Sequence, residues 1–119
     1  MQNSTEKTRT WAEELDALIA APQHHMLLLE NEVVREIDTS IPPGESTALH
    51  THKWPASLYI LSWSDFIRCD HEGNIALDSR DLVKSPSPAT ALWSEPLAPH
   101  TLKNIGNKDL HIISIEIKI

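Results

Sequence analysis

The sequence predicts an all-β domain, an antiparallel sandwich or barrel, preceded by one short helix. Three observations predict it. Short apolar or alternating runs separated by turn residues succeed one another from about residue 26 to the end, with no second helical period among them. The three glycines, Gly44, Gly73 and Gly106, all fall in the punctuation between those runs. The last run alternates strictly, with Ile113, Ile115, Ile117 and Ile119 on one side and Ser114, Glu116 and Lys118 on the other, which is the period of a strand.

Taken in order, residues 1–25 are expected to form a tail and short helix, and residues 26–119 the barrel domain. Thr10-Trp11-Ala12-Glu13 has the form of a capping box, and Trp11, Leu15, Leu18 and Ile19 recur at helical spacing until Pro22. That predicts a helix over 10–21, its apolar face covering one end of the barrel or a partner subunit. Residues 26–30 and 33–41 follow as two strands or one bent strand. Pro42-Pro43-Gly44 then enforces a turn, because proline fixes φ and glycine permits a positive one. A strand bearing His50 and His52 comes next and is broken by Lys53-Trp54-Pro55. Residues 57–63, rich in aromatic and β-branched side chains, read as a central strand. Residues 65–70 and 75–78 flank His71-Glu72-Gly73-Asn74, the strongest hairpin signal in the chain. Residues 79–89 contain Ser85-Pro86-Ser87-Pro88 and read as a surface connection. A strand resumes over 90–94, His100 opens another after Pro96-Leu97-Ala98-Pro99, and Ile105-Gly106-Asn107-Lys108-Asp109 turns the chain into its final strand.

Composition excludes several classes of function. A chain of 119 residues suits one domain with an ordinary core. Its net charge is −7 and its basic residues are scattered, so neither a phosphate backbone nor anionic lipid is an expected partner. Cys69 is the single cysteine, which rules out an intramolecular disulfide framework. No stretch is long and apolar enough for a membrane span, and the first residues lack the apolar run of a signal peptide. A soluble cytoplasmic protein is expected.

The chemistry concentrates in the histidines. Residues at i and i+2 of a strand point the same way, so His50 and His52 present two imidazoles to one space, with Cα atoms about 7 Å apart. His100 stands far along the chain at the start of another strand, with Asn104 four residues on. With these residues in view the chain resembles the cupin superfamily, whose first motif runs glycine, five residues, His-x-His, then a glutamate. Gly44, His50 and His52 match that motif in register, and His100 and Asn104 match the His-x-x-x-Asn of the second. Two positions depart from the pattern: Leu97 replaces the second motif's glycine, and Ala56 and Ser57 stand where the glutamate belongs. Glu95 is the only carboxylate near the second motif in sequence.

The resemblance implies a cupin-type double-stranded β-helix, or jelly-roll barrel, over roughly residues 28–119. It further implies a divalent metal ion held by His50, His52 and His100, and a twofold homodimer. Imidazole suits iron, nickel, copper and zinc alike, so the ion is not decided, and iron, zinc, nickel or manganese is expected. Three neutral ligands would leave the ion's charge uncompensated, which favours a small anionic, chelating metabolite. Occupancy is expected to fall as pH drops through about 6.5, where unperturbed histidine protonates. Three-histidine iron sites within this superfamily are associated with dioxygenases, so the resemblance implies a metal-dependent dioxygenase as the enzyme class. The alternative is a non-catalytic ligand-binding or regulatory module, with or without metal; a purely structural dimer module is a third reading. Tyr59, Trp63 and Trp93 are candidates for the substrate pocket, although each also suits packing. His24 and His25 are expected to be exposed between helix and strand, His71 to decorate the hairpin tip, and His111 to lie in the core or cavity on the isoleucine face.

Overall fold

Nine strands are present among the described residues: β1 (His25–Glu30), β2 (Val34–Ile41), β3 (His50–His52), β4 (Ala56–Ser62), β5 (Phe66–Asp70), β6 (Ile75–Asp78), β7 (Ala91–Ser94), β8 (Leu97–Asn104) and β9 (Leu110–Ile117). The structure is a computed structural model and describes residues 11–119. Every strand pair is antiparallel. One sheet has the order β1-β2-β9-β4-β7 and the other β3-β8-β5-β6, so β9, last in sequence, lies between β2 and β4. Side chains from both sheets enclose a cavity, and a small core of Ile41, Phe66 and Leu110, flanked by Trp63, Leu77, Leu102 and Ile112, closes one part of it.

Strand parity decides what enters that space. On β4, Ala56, Leu58 and Ile60 line the cavity while Ser57, Tyr59 and Leu61 point away. On β9 the inward residues are Leu110, Ile112, Ser114 and Glu116. The isoleucine side of the last strand is therefore its outer side. His111 lies on that outer side, not in the core or cavity, and its Nε2 meets Asp38 at 2.9 Å. The alternation is as strict as the sequence indicates, but the polar set is the buried one.

The predicted helix over 10–21 is much reduced. Its Thr10 cap lies outside the described residues. A 3-10 turn at Glu13–Leu15 is followed by a single α-helical turn, α1 (Ala17–Ala20), whose N-cap is Asp16 accepting from Leu18 N at 3.1 Å. Asp16 breaks the longer helix because its side chain satisfies the amide that a continuous helix would pair. The segment lies against the barrel, with Asp16 bridging Thr51 of β3.

Turns hold the strands in register. Gly44 adopts φ +83°, the left-handed conformation its turn requires. Asp70 caps the β5–β6 hairpin by accepting from the amides of Glu72 and Asn74, each at 2.9 Å. Asn104 is fully buried and uses its whole amide: it donates to the carbonyls of Ile41 and Lys108 and accepts from Ser64 Oγ and Gly106 N. β8 begins at Leu97, so His100 sits inside the strand instead of opening it.

Candidate metal centre

Backbone pairing brings the two histidine motifs together. β3 and β8 are neighbours, and His50 is the direct cross-strand partner of His100, their ring centroids 4.3 Å apart. His50 and His52 lie 4.9 Å apart by the same measure, and His52 and His100 5.6 Å. A fourth imidazole joins them. His25, the first residue of β1, lies 4.6 Å from His50 and 5.5 Å from His52. The potential ligand atoms of His25, His50 and His52 all fall within 4.8 Å of one another.

His24 and His25 are thus buried, contrary to the exposure expected of them. The turn after α1 folds over the barrel end, so that His25 Nδ1 bonds the Ala21 carbonyl at 2.9 Å and His24 Nε2 meets Glu45 at 2.8 Å. No sequence motif announces His25, because its place depends on where β1 meets the second sheet.

The hydrogen bonds fix the chemistry of these rings. His50 Nδ1 bonds the Ala48 carbonyl and His100 Nδ1 the Ala98 carbonyl, both at 2.7 Å. A carbonyl only accepts, so in His25, His50 and His100 the proton sits on Nδ1 and the lone pair is left on Nε2. His52 Nδ1 stands 3.3 Å from Glu116 Oε2, which places its proton on the same side. Burial holds all four rings neutral, and the neighbouring imidazoles add to the effect. The pKa values of His50, His52 and His100 are lowered to about 3 and that of His25 to about 4. Neutral imidazoles offering Nε2 are a donor set that fits a borderline divalent ion.

Glu116 supplies a carboxylate that the first motif lacks. It is the cross-strand partner of Ala56, one of the two residues standing in the glutamate's place. Its carboxyl is fully buried; Oε1 accepts from Arg35 Nε at 2.6 Å while Oε2 faces His52. Arg35 turns its other two nitrogens onto Asp16, at 2.8 and 3.1 Å. Burial raises the Glu116 pKa; at Asp16 burial also acts upward, but the bonds and charge of Arg35 leave it below the usual range. The Trp54 ring covers Arg35 at 5.0 Å. A line Asp16–Arg35–Glu116–His52 therefore runs from the N-terminal segment into the centre.

The cavity beside the histidines has a volume of about 290 Å³. Trp63 and Trp93 line it, and Tyr59 does not: it is 41 % exposed on the outer side of β4, where the parity of the strand places it. Glu95 accepts from the Trp93 indole at 2.5 Å and is not part of the cavity wall. Cys69 is half-buried and free. No helix among the described residues is long and apolar enough to cross a membrane.

No family profile matches this sequence, and none of the curated proteins compared with it is similar enough to count as a match. Solved structures share its fold. A cupin domain from Bordetella pertussis aligns with a TM-score of 0.64 at 18 % identity, over 80 % of this chain and 92 % of that one. An RmlC-like cupin family protein with a double-stranded β-helix fold, from Methanocaldococcus jannaschii, aligns at 0.53 and 13 % identity over 78 % and 79 % of the two chains. The polyketide cyclase RemF from Streptomyces resistomycificus aligns at 0.50 and 15 % over 78 % and 63 %. At these identities the likeness establishes the fold, a cupin-type double-stranded β-helix with a short N-terminal helical turn.

Proposed function

We propose that this cupin-fold chain holds a divalent metal ion through the Nε2 atoms of His50 and His52 together with His25 and His100, and acts there on a small anionic metabolite. One observation carries the reading. Each of the four rings has its Nδ1 engaged by a carbonyl or carboxylate oxygen, which turns its lone pair away from that partner and fixes the ring plane. Four histidines aligned merely for packing have no need of a common tautomer. A bound ion would supply a Lewis acid that polarises an oxygen of the ligand. The chain's own residues do the rest: the backbone carbonyls of Ala21, Ala48 and Ala98 orient the donors, Glu116 orients His52, and the apolar wall excludes water. A metal-dependent dioxygenase is the enzyme class we favour.

A non-catalytic ligand-binding module is the second reading, and a specific observation favours it. Glu116 is the only carboxylate lining the cavity among the described residues, and both its oxygens are already engaged. No free carboxylate stands ready as a general base. We also propose a homodimer joined along β1, supported by the exposed apolar side chains of that edge strand.

Metal retention tests the first reading. Protein purified without a His-tag, loaded anaerobically with Fe(II) and separately with Ni(II) or Zn(II) and then desalted, is expected to keep close to one ion per chain. Loss of every ion, or equal retention by His50→Ala, removes the metal centre. Oxygen consumption by iron-loaded protein with candidate metabolites separates the enzyme from the binding module.

A further inference from the structure

Among the described residues, Arg68 is a cation without a counter-ion on the cavity wall. It lies on β5 two residues beyond the buried Phe66, on the same inward side, opposite Leu102 of β8 and Leu77 of β6. No hydrogen bond or ion pair reaches its guanidinium among the described residues. The acids of the same sheet are engaged elsewhere: Asp70 by the hairpin amides, Asp78 by Arg80, Asp65 by Ser79. Glu116 and Asp16 both belong to Arg35. Burial acts on Arg68 alone, lowering its pKa with no carboxylate to offset it. Its charge nonetheless persists, since arginine does not deprotonate in proteins, and a half-desolvated guanidinium without a partner is costly to maintain.

The rest of the wall says what kind of anion would answer it. The cavity wall is mostly apolar, with Ile60, Trp63, Phe66, Leu102 and Ile112 among its members and the histidines, Glu116 and a few hydroxyls as its other polar groups. Such a surface does not suit a sugar or a polyphosphate, whose hydroxyls and charges need many donors. A single planar guanidinium matches one carboxylate in a two-pronged contact. A cavity of about 290 Å³ has room for a ring-sized body. Trp63 adds a second unused group, for its indole Nε1 is the one buried side-chain polar atom without a partner among the described residues.

We propose that the cavity binds a small monocarboxylate with an apolar, ring-sized body, its carboxylate paired with Arg68 and its body seated against Trp63, Phe66 and Ile112. The proposal rests on the reading of the cavity as a ligand site and narrows its ligand from any small anion to an apolar acid; it does not require the metal.

Phenylacetate, which has the right size and charge, is the probe, with phenylacetamide as its neutral counterpart and acetate as the anion without a body. Calorimetric titration is run on the full chain, once metal-free and once after nickel loading, with metal content measured separately. Phenylacetate is expected to bind at least about tenfold more tightly than either comparison compound, as a charge-assisted contact implies. Arg68→Gln should remove that preference while leaving phenylacetamide within about twofold of wild type, and Arg68→Lys should keep part of it. Unchanged near-UV circular dichroism establishes that the variants are folded. Equal affinity for the acid and the amide in wild type, an equal loss of both in Arg68→Gln, or no binding of phenylacetate at millimolar concentration in either form overturns the proposal. Selective binding by protein that retains no metal upholds it even as the metal centre fails.

Discussion

Glu116 and His52 meet at 3.3 Å although 64 positions separate them, and the contact returns a carboxylate to a motif that has lost its own. The carboxylate arrives from the neighbouring strand, at the level of Ala56. Through the Nδ1 proton it orients the ring and raises the basicity of the opposite nitrogen. Glu116→Gln is therefore expected to weaken metal binding by about 10- to 100-fold, the usual effect of losing such a partner. Competition titration with a chelator reads it. Arg35→Met, which leaves Glu116 and Asp16 buried without their cation, should cost about 3–5 kcal/mol of stability in urea unfolding. Wild-type values for both variants would show the line to be ornamental.

The four histidines also predict how stability depends on pH. In the folded chain they remain neutral down to about pH 3 or 4, while in the unfolded chain they take up protons below about 6.5. The unfolded state then binds more protons, so stability is complete above about pH 6.5 and declines as pH falls toward the folded-state values. Urea unfolding of metal-free protein at pH 7.5, 6 and 5 is expected to show a midpoint falling step by step. The same burial moves the acid limit of metal retention below the 6.5 that unperturbed histidine suggests. A midpoint that does not change between pH 7.5 and 5 contradicts both statements.

Single substitutions distinguish the members of the cluster. His50→Ala and His52→Ala should abolish tight retention, since each has neighbours on either side. His25→Ala, which removes a member of the closely spaced group, should cost more retention than His100→Ala, and each should weaken it. His71→Ala, at the exposed hairpin tip, is the control and should retain metal as wild type does. Elemental analysis after desalting gives the answer directly.

Asn104 and Gly106 make a structural prediction independent of any ligand. Asn104→Leu leaves the partners of four hydrogen bonds unpaired in a closed space and should destabilise by about 2–4 kcal/mol. A methyl group on Gly106 would stand 2.1 Å from Ser64 Oγ, so Gly106→Ala should cost about 1–3 kcal/mol. Thermal unfolding monitored by circular dichroism measures both, and stability equal to wild type would contradict the packing described.

The proposed association rests on the free edge at β1. Met26, Leu27, Leu28, Leu29 and Val33 are 45–61 % exposed there, on both sides of an edge strand that ends the five-stranded sheet. A second copy covering that edge would remove these side chains from water and satisfy the unpaired backbone. Light scattering should give twice the chain mass, and Leu27→Lys with Leu29→Lys should return it to one. A single-chain mass for wild type at all concentrations refutes the dimer.

Much of the strand pattern was legible because parity and turn chemistry are local. Pro43-Gly44 and Glu72-Gly73 mark their turns in the residues themselves, and so does the alternation of β9. The choice of which side of β9 faces inward was not legible, since isoleucine on an outer surface and glutamate inside reverse the usual preference. The reversal depends on Arg35, 81 residues away, whose charge makes a buried Glu116 tolerable. His25 was hidden for a related reason. Its burial is decided by the short turn at Asp16–Ala21, which replaces the longer helix that periodicity suggests. His50, His52 and His100 were legible because spacing and a family pattern coincide on them.

His25 enters the histidine cluster from the first strand, and Glu116 from the last. The cluster with its orienting carboxylate therefore draws on two segments about ninety residues apart, and closing a loop of that length carries an entropic cost that shorter contacts avoid. Assembly of the four imidazoles is expected late in folding, which hydrogen exchange pulsed during refolding would read at the His25 and His50 amides. Fraying of β1 would withdraw one of them while the other eight strands stay paired, so the cluster can open and close on a timescale of its own.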